Sequence, residues 1–437
     1  MNIPGNIRGR RLWERLMSSM LFFPAIYALV ALLLSFALAQ WDAADPVTDV
    51  FSVSAASAQV TMSALASGML AFTGFVTSVV LLIVQFGTSE FSPRLVRWLR
   101  SDRTLNLSLS AFIATFLFAL ASTAQISTAS GAPSPTRSLI AATALTLLSI
   151  LMFLLLIERT MNGLRVANVV QQVDASARRV FDVVYPTSQS DAERAQLTAQ
   201  RVSNETPIQT IYAGAVGSVI ATLDQVALVA LAKRGDAVIQ MRQAVGDHVP
   251  ANGSLLSVYG TKRLPEARLR RSVILDDERT IDFDPAFAIR MLVDVAIKAL
   301  SPAVNDPTTA VQSIDRIEDL LRYASGKHLS AGAVPDREGV VRLMYPTPTW
   351  EDLVELALNE IRQFGANQYQ IARRLRALLD ALIGDLPERR LPPLRRQLAL
   401  LDDAVASAFP ESQRGDALIP DRQGIGMARR AADPSQA

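Results

Sequence analysis

The residues best suited to chemistry cluster around two proline-initiated helix starts in RTIDFDPAFAIRMLVDVAIKALSPAVNDPTTAVQSID. Asp284-Pro285 and Asp306-Pro307 each place a capping carboxylate before a proline, which predicts two helices joined by a tight loop. Arg290 and Asp294 lie one helical turn apart, so we expect a surface ion pair worth roughly 0.2–0.5 kcal/mol. Capping and pairing explain most of these residues. The alternative is a ligand-binding or subunit-contact site composed of Arg290, Asp294, Ser301, Pro302, Asn305, Asp306, Pro307 and Thr308.

No residue set typical of catalysis or metal binding is recognisable. The chain has no cysteine, which excludes disulfides, thiolate metal sites and thiol nucleophiles. Its two histidines, His248 and His328, are far apart in sequence, which disfavours a zinc enzyme. Walker, GxSxG and HExxH motifs are absent from the sequence. We therefore expect no enzymatic activity, no catalytic residues, no cofactor and no metal. His248 is interpreted as structural, with a modest pH-sensing role as the alternative.

The composition predicts one membrane domain and one aqueous region. Of the 437 residues, 50% are hydrophobic and 19% are charged, whereas soluble proteins carry about a quarter charged residues. The deficit is local, because residues 20–160 are almost free of charge. The expected aqueous region, of roughly 250 residues, is long enough for one or two soluble domains. A net charge of +2 does not suggest a nucleic-acid partner.

Four apolar segments are long enough to cross a bilayer, which takes roughly 20 residues each. They cover residues 20–39, 62–86, 105–126 and 139–157. The first segment resembles a signal peptide, but it is longer than a usual signal core and has no clear cleavage site. We therefore expect a four-helix transmembrane domain over residues 20–160, preceded by a basic segment at residues 1–19.

The distribution of basic residues predicts the orientation of these spans. Arginines concentrate before span one and between spans two and three, at Arg8, Arg10, Arg11, Arg15, Arg94, Arg97, Arg100 and Arg103. The loop after span one instead carries Asp42, Asp45 and Asp49, and residues 127–136 carry no charge. By the positive-inside rule, both termini are expected in the cytoplasm.

Span two differs from the others in its small and polar residues, several of them at near-helical spacing. They are Ser67, Gly68, Ala71, Gly74, Thr77, Ser78 and Gln85. Small residues let transmembrane helices approach closely, so the favoured interpretation is a packing seam inside one four-helix bundle. The alternative is a pore-lining helix in a homo-oligomer, because polar groups in a span tend to face protein or water.

The segment after span two is basic and aromatic. Gly87 is expected to break or bend the helix, and Pro93 suits the first turn of a new one. The favoured interpretation is an amphipathic anchor at the membrane surface. The alternative is an elbow that couples span two to the cytoplasmic region, with candidate residues Phe91, Ser92, Pro93, Arg94, Arg97 and Trp98.

Beyond the spans, the pattern predicts a cytoplasmic α+β region, so the fold class is a mainly α membrane protein. We expect a stalk helix and linker at residues 161–206, a small β-rich module at 207–262, and the helical hairpin at 263–330. A helical bundle follows at residues 331–410, with Arg373, Arg374 and Arg376 directed outward, and then a disordered tail at 411–437.

Two blocks carry a family resemblance, FGTSEFSPRLVRWLRSD and AFAIRMLVDVAIKALSPAVNDPTTAVQSID. Both resemble the uncharacterised bacterial membrane family DUF2254. The likeness runs from span one to about Phe409, and its most specific parts are FSPR at residues 91–94 and ALSPAVNDP at residues 299–307. It implies a multi-pass protein of the bacterial inner membrane with a cytoplasmic domain, and it implies no established activity.

Three functions were weighed. The first is a homo-oligomeric channel or pore-like protein that is gated or assembled by its cytoplasmic domain. The second is a membrane-anchored sensor or scaffold whose cytoplasmic domain binds a ligand or partner protein. An enzyme is the least favoured. The expected partners are the lipid bilayer, further copies of the chain, and a small ion or ligand, with no nucleic acid.

Overall fold

The computed structural model describes residues 22–45, 53–90, 103–126, 134–163, 166–185, 189–277, 279–329 and 332–427. The chain divides into two compact units, with the boundary at Val166. We call the unit before Val166 the membrane unit and the unit that begins there the C-terminal unit. Each is described by itself.

The membrane unit contains the four predicted spans. Its helices are α1 (Phe22–Ala44), α2 (Ala55–Glu90), α3 (Arg103–Gln125) and α4 (Thr136–Gly163). All four are long and apolar enough to cross a membrane. The prediction of four spans is therefore confirmed, although α1, α2 and α4 extend beyond the predicted ranges.

Helix α3 lies at the centre of the membrane unit and packs against the other three helices. Half of its span is buried inside the unit, against 11–17% of the other spans. Phe112 and Phe118 of α3 are fully buried. The other helices expose large apolar side chains, among them Leu33, Leu81 and Leu154, as lipid-facing surfaces do.

The expected helix break at Gly87 is wrong. Helix α2 continues through Gly87 and ends at Glu90. A single glycine costs a helix only about 1 kcal/mol relative to alanine, so it does not by itself end one. The six elbow residues from Phe91 to Trp98 lie outside the described residues.

The first two helices of the C-terminal unit correct the stalk and linker predictions. Helix α5 (Val166–Val184) buries Val173, Ala177 and Phe181 and packs against two later helices of its own unit, so it is not a free stalk. The predicted linker contains helix α6 (Gln189–Ser203). Its Val202 packs against the neighbouring sheet.

In the described part of the chain, eight short strands form two sheets. They are β1 (Gln209–Tyr212), β2 (Ser218–Leu223), β3 (Val238–Met241), β4 (His248–Val249), β5 (Ser254–Tyr259), β6 (Val273–Asp276), β7 (Gly332–Pro335) and β8 (Val341–Tyr345). One sheet has the order β1-β5-β3-β8-β7 and the other β4-β2-β6. The pairing of β3 with β8 is parallel, and all the other pairings are antiparallel.

The β-rich region is therefore larger than the predicted module at residues 207–262. Strands β6, β7 and β8 come from segments that were assigned to the helical hairpin and the helical bundle. The register of β3 and β8 aligns Ile239 with Leu343, about a hundred positions later in the chain. A pairing at that separation leaves no local sequence pattern.

The remaining elements are helical. They are α7 (Gln225–Arg234), α8 (Glu266–Ser272), α9 (Pro285–Ala299), α10 (Pro307–Ser325), α11 (Trp350–Gly365), α12 (Tyr369–Asp385), α13 (Leu391–Ala408) and α14 (Glu411–Ala417), with 3-10 turns at Ile281–Phe283 and Glu388–Arg390. Helices α9 and α10 form the predicted hairpin. Asp284 accepts a hydrogen bond from the Phe287 amide at 2.9 Å, and Asp306 accepts one from the Thr309 amide at 3.1 Å.

Two predictions about the end of the chain are wrong. Arg373 and Arg374 point inward and are 9% and 6% exposed. The predicted tail is ordered as far as residue 427, because α14 and the loop after it pack against α12. Arg373 donates hydrogen bonds to the carbonyl oxygens of Asp416 and Gly426 at 2.8 and 2.5 Å. Residues 428–437 lie outside the described residues.

Candidate functional site

The small residues of α2 lie on the side of the helix that faces away from the rest of the membrane unit. At ~100° per residue, Ser67, Ala71, Gly74 and Ser78 fall within a sector of roughly 60°. The packed side of α2 is diametrically opposite and carries Met62, Met69 and Val76, which are 0–6% exposed. We call the face formed by Ser67, Ala71, Gly74 and Ser78 the small face.

No other part of the described structure covers the small face. All four residues are exposed, as are Gly68, Thr77 and Gln85. A side-chain carbon added at Gly68 or Gly74 would meet no heavy atom within 4 Å. The favoured interpretation, a packing seam inside this four-helix unit, is therefore wrong. The unit packs through larger apolar side chains on the opposite side of α2.

Four hydroxyl groups of α2, those of Thr61, Thr73, Thr77 and Ser78, donate to carbonyl oxygens of their own helix. Thr77 donates to the Thr73 carbonyl at 2.7 Å, and Ser78 donates to the Gly74 carbonyl at 3.0 Å. Such back-bonding reduces the cost of placing a hydroxyl in an apolar environment. The small face can therefore contact either lipid or another helix without leaving these donors unpaired.

The predicted pair of Arg290 and Asp294 is part of a bridge between two helices. The Arg290 Nε donates to Asp294 at 2.6 Å, and the Arg290 Nη2 donates to Glu360 of α11 at 2.9 Å. Arg290 Nη1 also pairs with Glu360. The hydrogen bond that Arg290 donates to Glu360 is the largest cause of the raised pKa of Arg290. This arrangement fixes α9 against α11, which is a structural role.

The loop from Ser301 to Thr309 does not join that bridge. Along α9, Arg290 and Ser301 are separated by roughly 16 Å at ~1.5 Å per residue. Within the loop, Asn305 has a left-handed φ of 48°, and its amide donates to the Ser301 carbonyl at 2.9 Å. Pro302 and Thr308 are exposed, and Pro307 is half-buried. The eight candidate residues thus divide into a helix–helix bridge and a tight turn.

Two segments that lie far apart in the sequence meet in the C-terminal unit at Gly246 and Asp284. The cap residue Asp284 is 4% exposed, and burial raises its pKa to about 6. Gly246 has a φ of +93°, and a side-chain carbon there would lie 2.0 Å from Asp284 Oδ2. Only glycine fits that contact. Sequence reasoning missed this junction because nothing in the sequence indicates that the two segments touch.

Sequence reasoning also missed a polar stripe on α3. Ser108, Thr115 and Ser122 recur every seven residues, and all three are buried. Ser108 donates to the Met152 carbonyl at 3.1 Å, Thr115 shares a 2.9 Å hydrogen bond with Ser149, and Ser122 shares a 3.1 Å hydrogen bond with Ser35. Hydrogen bonds of this kind hold transmembrane helices together. The seven-residue spacing was the available signal.

A third group lies where the end of α1 meets the start of α4. Asp42 is 3% exposed and accepts hydrogen bonds from the amides of Arg137 and Ser138, both at 3.1 Å. It therefore caps α4 from another helix, where a carboxylate is favoured. The Arg137 guanidinium pairs with Asp45 at 2.7 Å and lies over the Trp41 ring. Asp42 had been assigned to a loop because α1 was predicted to end at residue 39.

Among the described residues, no group of three or more His, Cys, Asp or Glu side chains is placed to hold a metal ion. Four other features are available for function. They are the small face, the cluster of Asp42 with Arg137 and Ser138, the contact of Gly246 with Asp284, and the loop at residues 301–309.

Four candidate spans and an α+β unit define a multi-pass membrane protein. The chain belongs to the DUF2254 family, described as predicted membrane proteins, whose model matches residues 17–381. It is also 27% identical over 380 residues to uncharacterized proteins of Mycobacterium bovis and Mycobacterium tuberculosis, covering 84% of this chain and 70% of each relative. No solved structure matches the chain.

Proposed function

We propose that this protein forms a homo-oligomeric, channel-like assembly in the bacterial inner membrane, in which subunits meet or enclose a pore through the small face of α2. In this proposal both termini are cytoplasmic, the C-terminal unit controls assembly or gating, and the protein has no enzymatic activity. The observation that carries the proposal is the exposure of the small face.

The small face differs from the lipid-facing surfaces of the other helices. Exposed positions on α1 and α4 carry large apolar residues such as Phe36, Leu147 and Leu154. The small face of α2 carries serine, alanine and glycine instead, and larger exposed residues such as Leu70, Phe75 and Leu81 flank it. Transmembrane helices use small residues where two backbones approach closely. A second copy of the chain would cover this face and bury little polar surface, because Ala71 and Gly74 have no polar side chain and the Ser78 hydroxyl is already bonded within its helix.

The charges at one end of the membrane unit support the proposed orientation. Arg137 is the one basic residue near the loop that is assigned to the outer side, and it pairs with Asp42 and Asp45. Two carboxylates against one guanidinium leave this group acidic. The positive-inside rule therefore still favours cytoplasmic termini.

Disulfide crosslinking tests the assembly directly, because the chain contains no cysteine that could give a background signal. Ser67→Cys and Ser78→Cys should each give covalent dimers after mild oxidation in native membranes. The matched controls are Leu33→Cys on α1 and Leu154→Cys on α4, which are 61% and 57% exposed. Equal crosslinking at all four positions, or none at the small face, would contradict the proposed contact.

Ion flux tests the pore. Wild-type protein in liposomes should conduct, and Gly74→Leu should reduce flux at least tenfold, because it places a large side chain on the small face where there is now open space. The control is Leu154→Ala, a lipid-facing change that should leave flux unaltered. Crosslinking of Ser67→Cys in a protein that does not conduct would support the oligomeric contact and contradict the pore.

The alternative function is a sensor or scaffold that binds a ligand or partner through the loop between α9 and α10. The observation in its favour is that this loop exposes Val304, which is 44% accessible, beside the left-handed Asn305. Hydrogen exchange of residues 301–309 in the membrane-bound protein should then slow when a partner recovered by in-cell crosslinking is added. Unchanged exchange with every partner recovered would count against it.

A further inference from the structure

A cavity of about 220 Å³ lies at the end of the membrane unit where α1, α3 and α4 converge. Its polar lining comes from Asp42, Ser122, Gln125 and Ser138, and its apolar lining includes Ala39 and Ile126. Asp42, the buried carboxylate that caps α4, is one of the lining residues. The cavity is large enough for a small organic molecule.

The polar groups of this cavity have already used most of their hydrogen-bond donors. Gln125 donates both amide hydrogens, to Ser35 Oγ at 2.8 Å and to the Ala121 carbonyl at 3.0 Å. Ser138 donates its hydroxyl to Asp42 Oδ2 at 2.8 Å. What these two side chains still offer are acceptor oxygens, Gln125 Oε1 and Ser138 Oγ.

Asp42 adds a third acceptor. Its Oδ1 takes one hydrogen bond, from the Arg137 amide, while the Arg137 Nη1 is 3.7 Å away and beyond hydrogen-bond distance. The described charged groups at this end are Asp42, Asp45 and Arg137, which together leave one negative charge. The free acceptor oxygens therefore favour a ligand that is rich in N–H donors, and the net negative charge favours a cationic one.

We propose that this cavity binds a primary ammonium group. Its three N–H donors match the acceptors on Asp42, Gln125 and Ser138, and a short alkyl chain fits against Ala39 and Ile126. A quaternary ammonium ion has no N–H to donate. The group can come from a free amine in solution or from the headgroup of an aminophospholipid, and the two sources are separable by experiment.

The test uses full-length protein in phosphatidylcholine nanodiscs, with ethylammonium chloride as the probe. A saturable rise in melting temperature is expected, and neither tetramethylammonium nor sodium chloride at equal ionic strength should reproduce it. Ala39→Leu fills the cavity and should weaken ethylammonium binding at least tenfold. Ala37→Leu makes the same change on the exposed side of α1 and should leave binding unchanged.

Gln125→Leu provides a second variant. It replaces an exposed side chain with one of similar size and removes one acceptor from the lining of the cavity. It should also weaken binding at least tenfold. Phosphatidylethanolamine nanodiscs separate the two sources. If the lipid headgroup is the ligand, the melting temperature is already raised before ethylammonium is added, and ethylammonium has no further effect. If the ligand is a free amine, ethylammonium raises the melting temperature equally in both lipids. Three results would each overturn the proposal. They are no saturable rise in melting temperature with ethylammonium in phosphatidylcholine, an equal rise with sodium chloride, and ethylammonium binding that neither Ala39→Leu nor Gln125→Leu weakens.

Discussion

The two units of this protein bury polar side chains by different means. In the membrane unit the buried polar groups are mainly hydroxyls that bond between helices, as Thr115 and Ser149 do at 2.9 Å. The C-terminal unit buries whole charges. Arg374 of α12 is 6% exposed and donates to Asp315 and Glu318 of α10, each at 2.7 Å.

The difference follows from the surroundings that each unit is built for. A bilayer core offers neither water nor counterions, so an uncharged hydroxyl is the less costly polar group to bury there. The C-terminal unit has no candidate span among its described residues and can place an arginine between two carboxylates at a helix interface. Asp42 is the exception in the membrane unit, and it lies at a helix end where two backbone amides donate hydrogen bonds to its carboxylate and the Arg137 guanidinium is 3.7 Å away.

The largest expected effect comes from breaking a buried charge network. Arg374→Leu removes the guanidinium and leaves Asp315 without its partner and Glu318 with Arg322 alone. We expect the C-terminal unit to lose about 3 kcal/mol, because two charge-assisted hydrogen bonds are removed and one of their acceptors, Glu318, is only 15% exposed. Native-state hydrogen exchange of α10 and α12 in the full-length protein measures the loss.

The matched control is an exposed ion pair in the same unit. Arg395 pairs with Glu388 at 2.7 Å, with side chains 55% and 75% exposed. Arg395→Leu should cost less than about 1 kcal/mol, since exposed pairs contribute little. Similar losses for the two variants would show that burial does not set the strength of the Arg374 network.

Features encoded by neighbouring residues could be predicted from the sequence. Apolar runs of sufficient length gave the four spans, and the Asp-Pro pairs gave the starts of α9 and α10, because spans and caps depend on local composition. Features that depend on distant pairing could not. The direction of Arg374 depends on Asp315 and Glu318 in another helix, and the parallel partner of β3 comes from residues 341–345.

The orientation of α2 is the most instructive failure. Small residues at helical spacing indicate a contact surface but do not say whether the partner is in the same chain. Here the packed side carries methionine and valine, and the small face is exposed. The cavity beside Asp42 was equally inaccessible to sequence reasoning, because its lining comes from three separate helices.

A second, smaller effect tests Asp284, a buried carboxylate whose pKa is raised. For Asp284 the pKa in the folded protein is about 6, above the ordinary aspartate pKa of 3.8. The native state therefore holds the proton more tightly, and this contribution to stability is present below pH ~4 and lost as the pH rises to ~6. The loss is at most about 3 kcal/mol, at 1.36 kcal/mol per pKa unit. Hydrogen exchange at the start of α9 should accelerate over this interval.

Asp284→Asn keeps a capping oxygen but cannot ionise, so it should flatten that pH dependence. The groups that act on Asp284 are Arg279, Asp247 and the Tyr185 hydroxyl, and they remain in the variant. Asp306→Asn is the control, since it makes the same change at a half-buried cap of similar geometry. A pH profile that Asp284→Asn leaves unaltered would assign the titration to another group.

The smallest effect should come from the hydroxyl contacts between helices of the membrane unit, because these contacts carry no charge. Thr115→Val keeps the side-chain shape and removes the hydroxyl that contacts Ser149 and the Leu145 carbonyl. Interhelical hydrogen bonds in membranes average about 0.6 kcal/mol, so we expect a loss of that order in the unfolding equilibrium in mixed micelles. Thr143→Val is the control, because its hydroxyl is exposed and bonds only to the Leu139 carbonyl of its own helix. A loss for Thr115→Val as large as that for Arg374→Leu would contradict the view that the membrane unit is held mainly by apolar packing around α3.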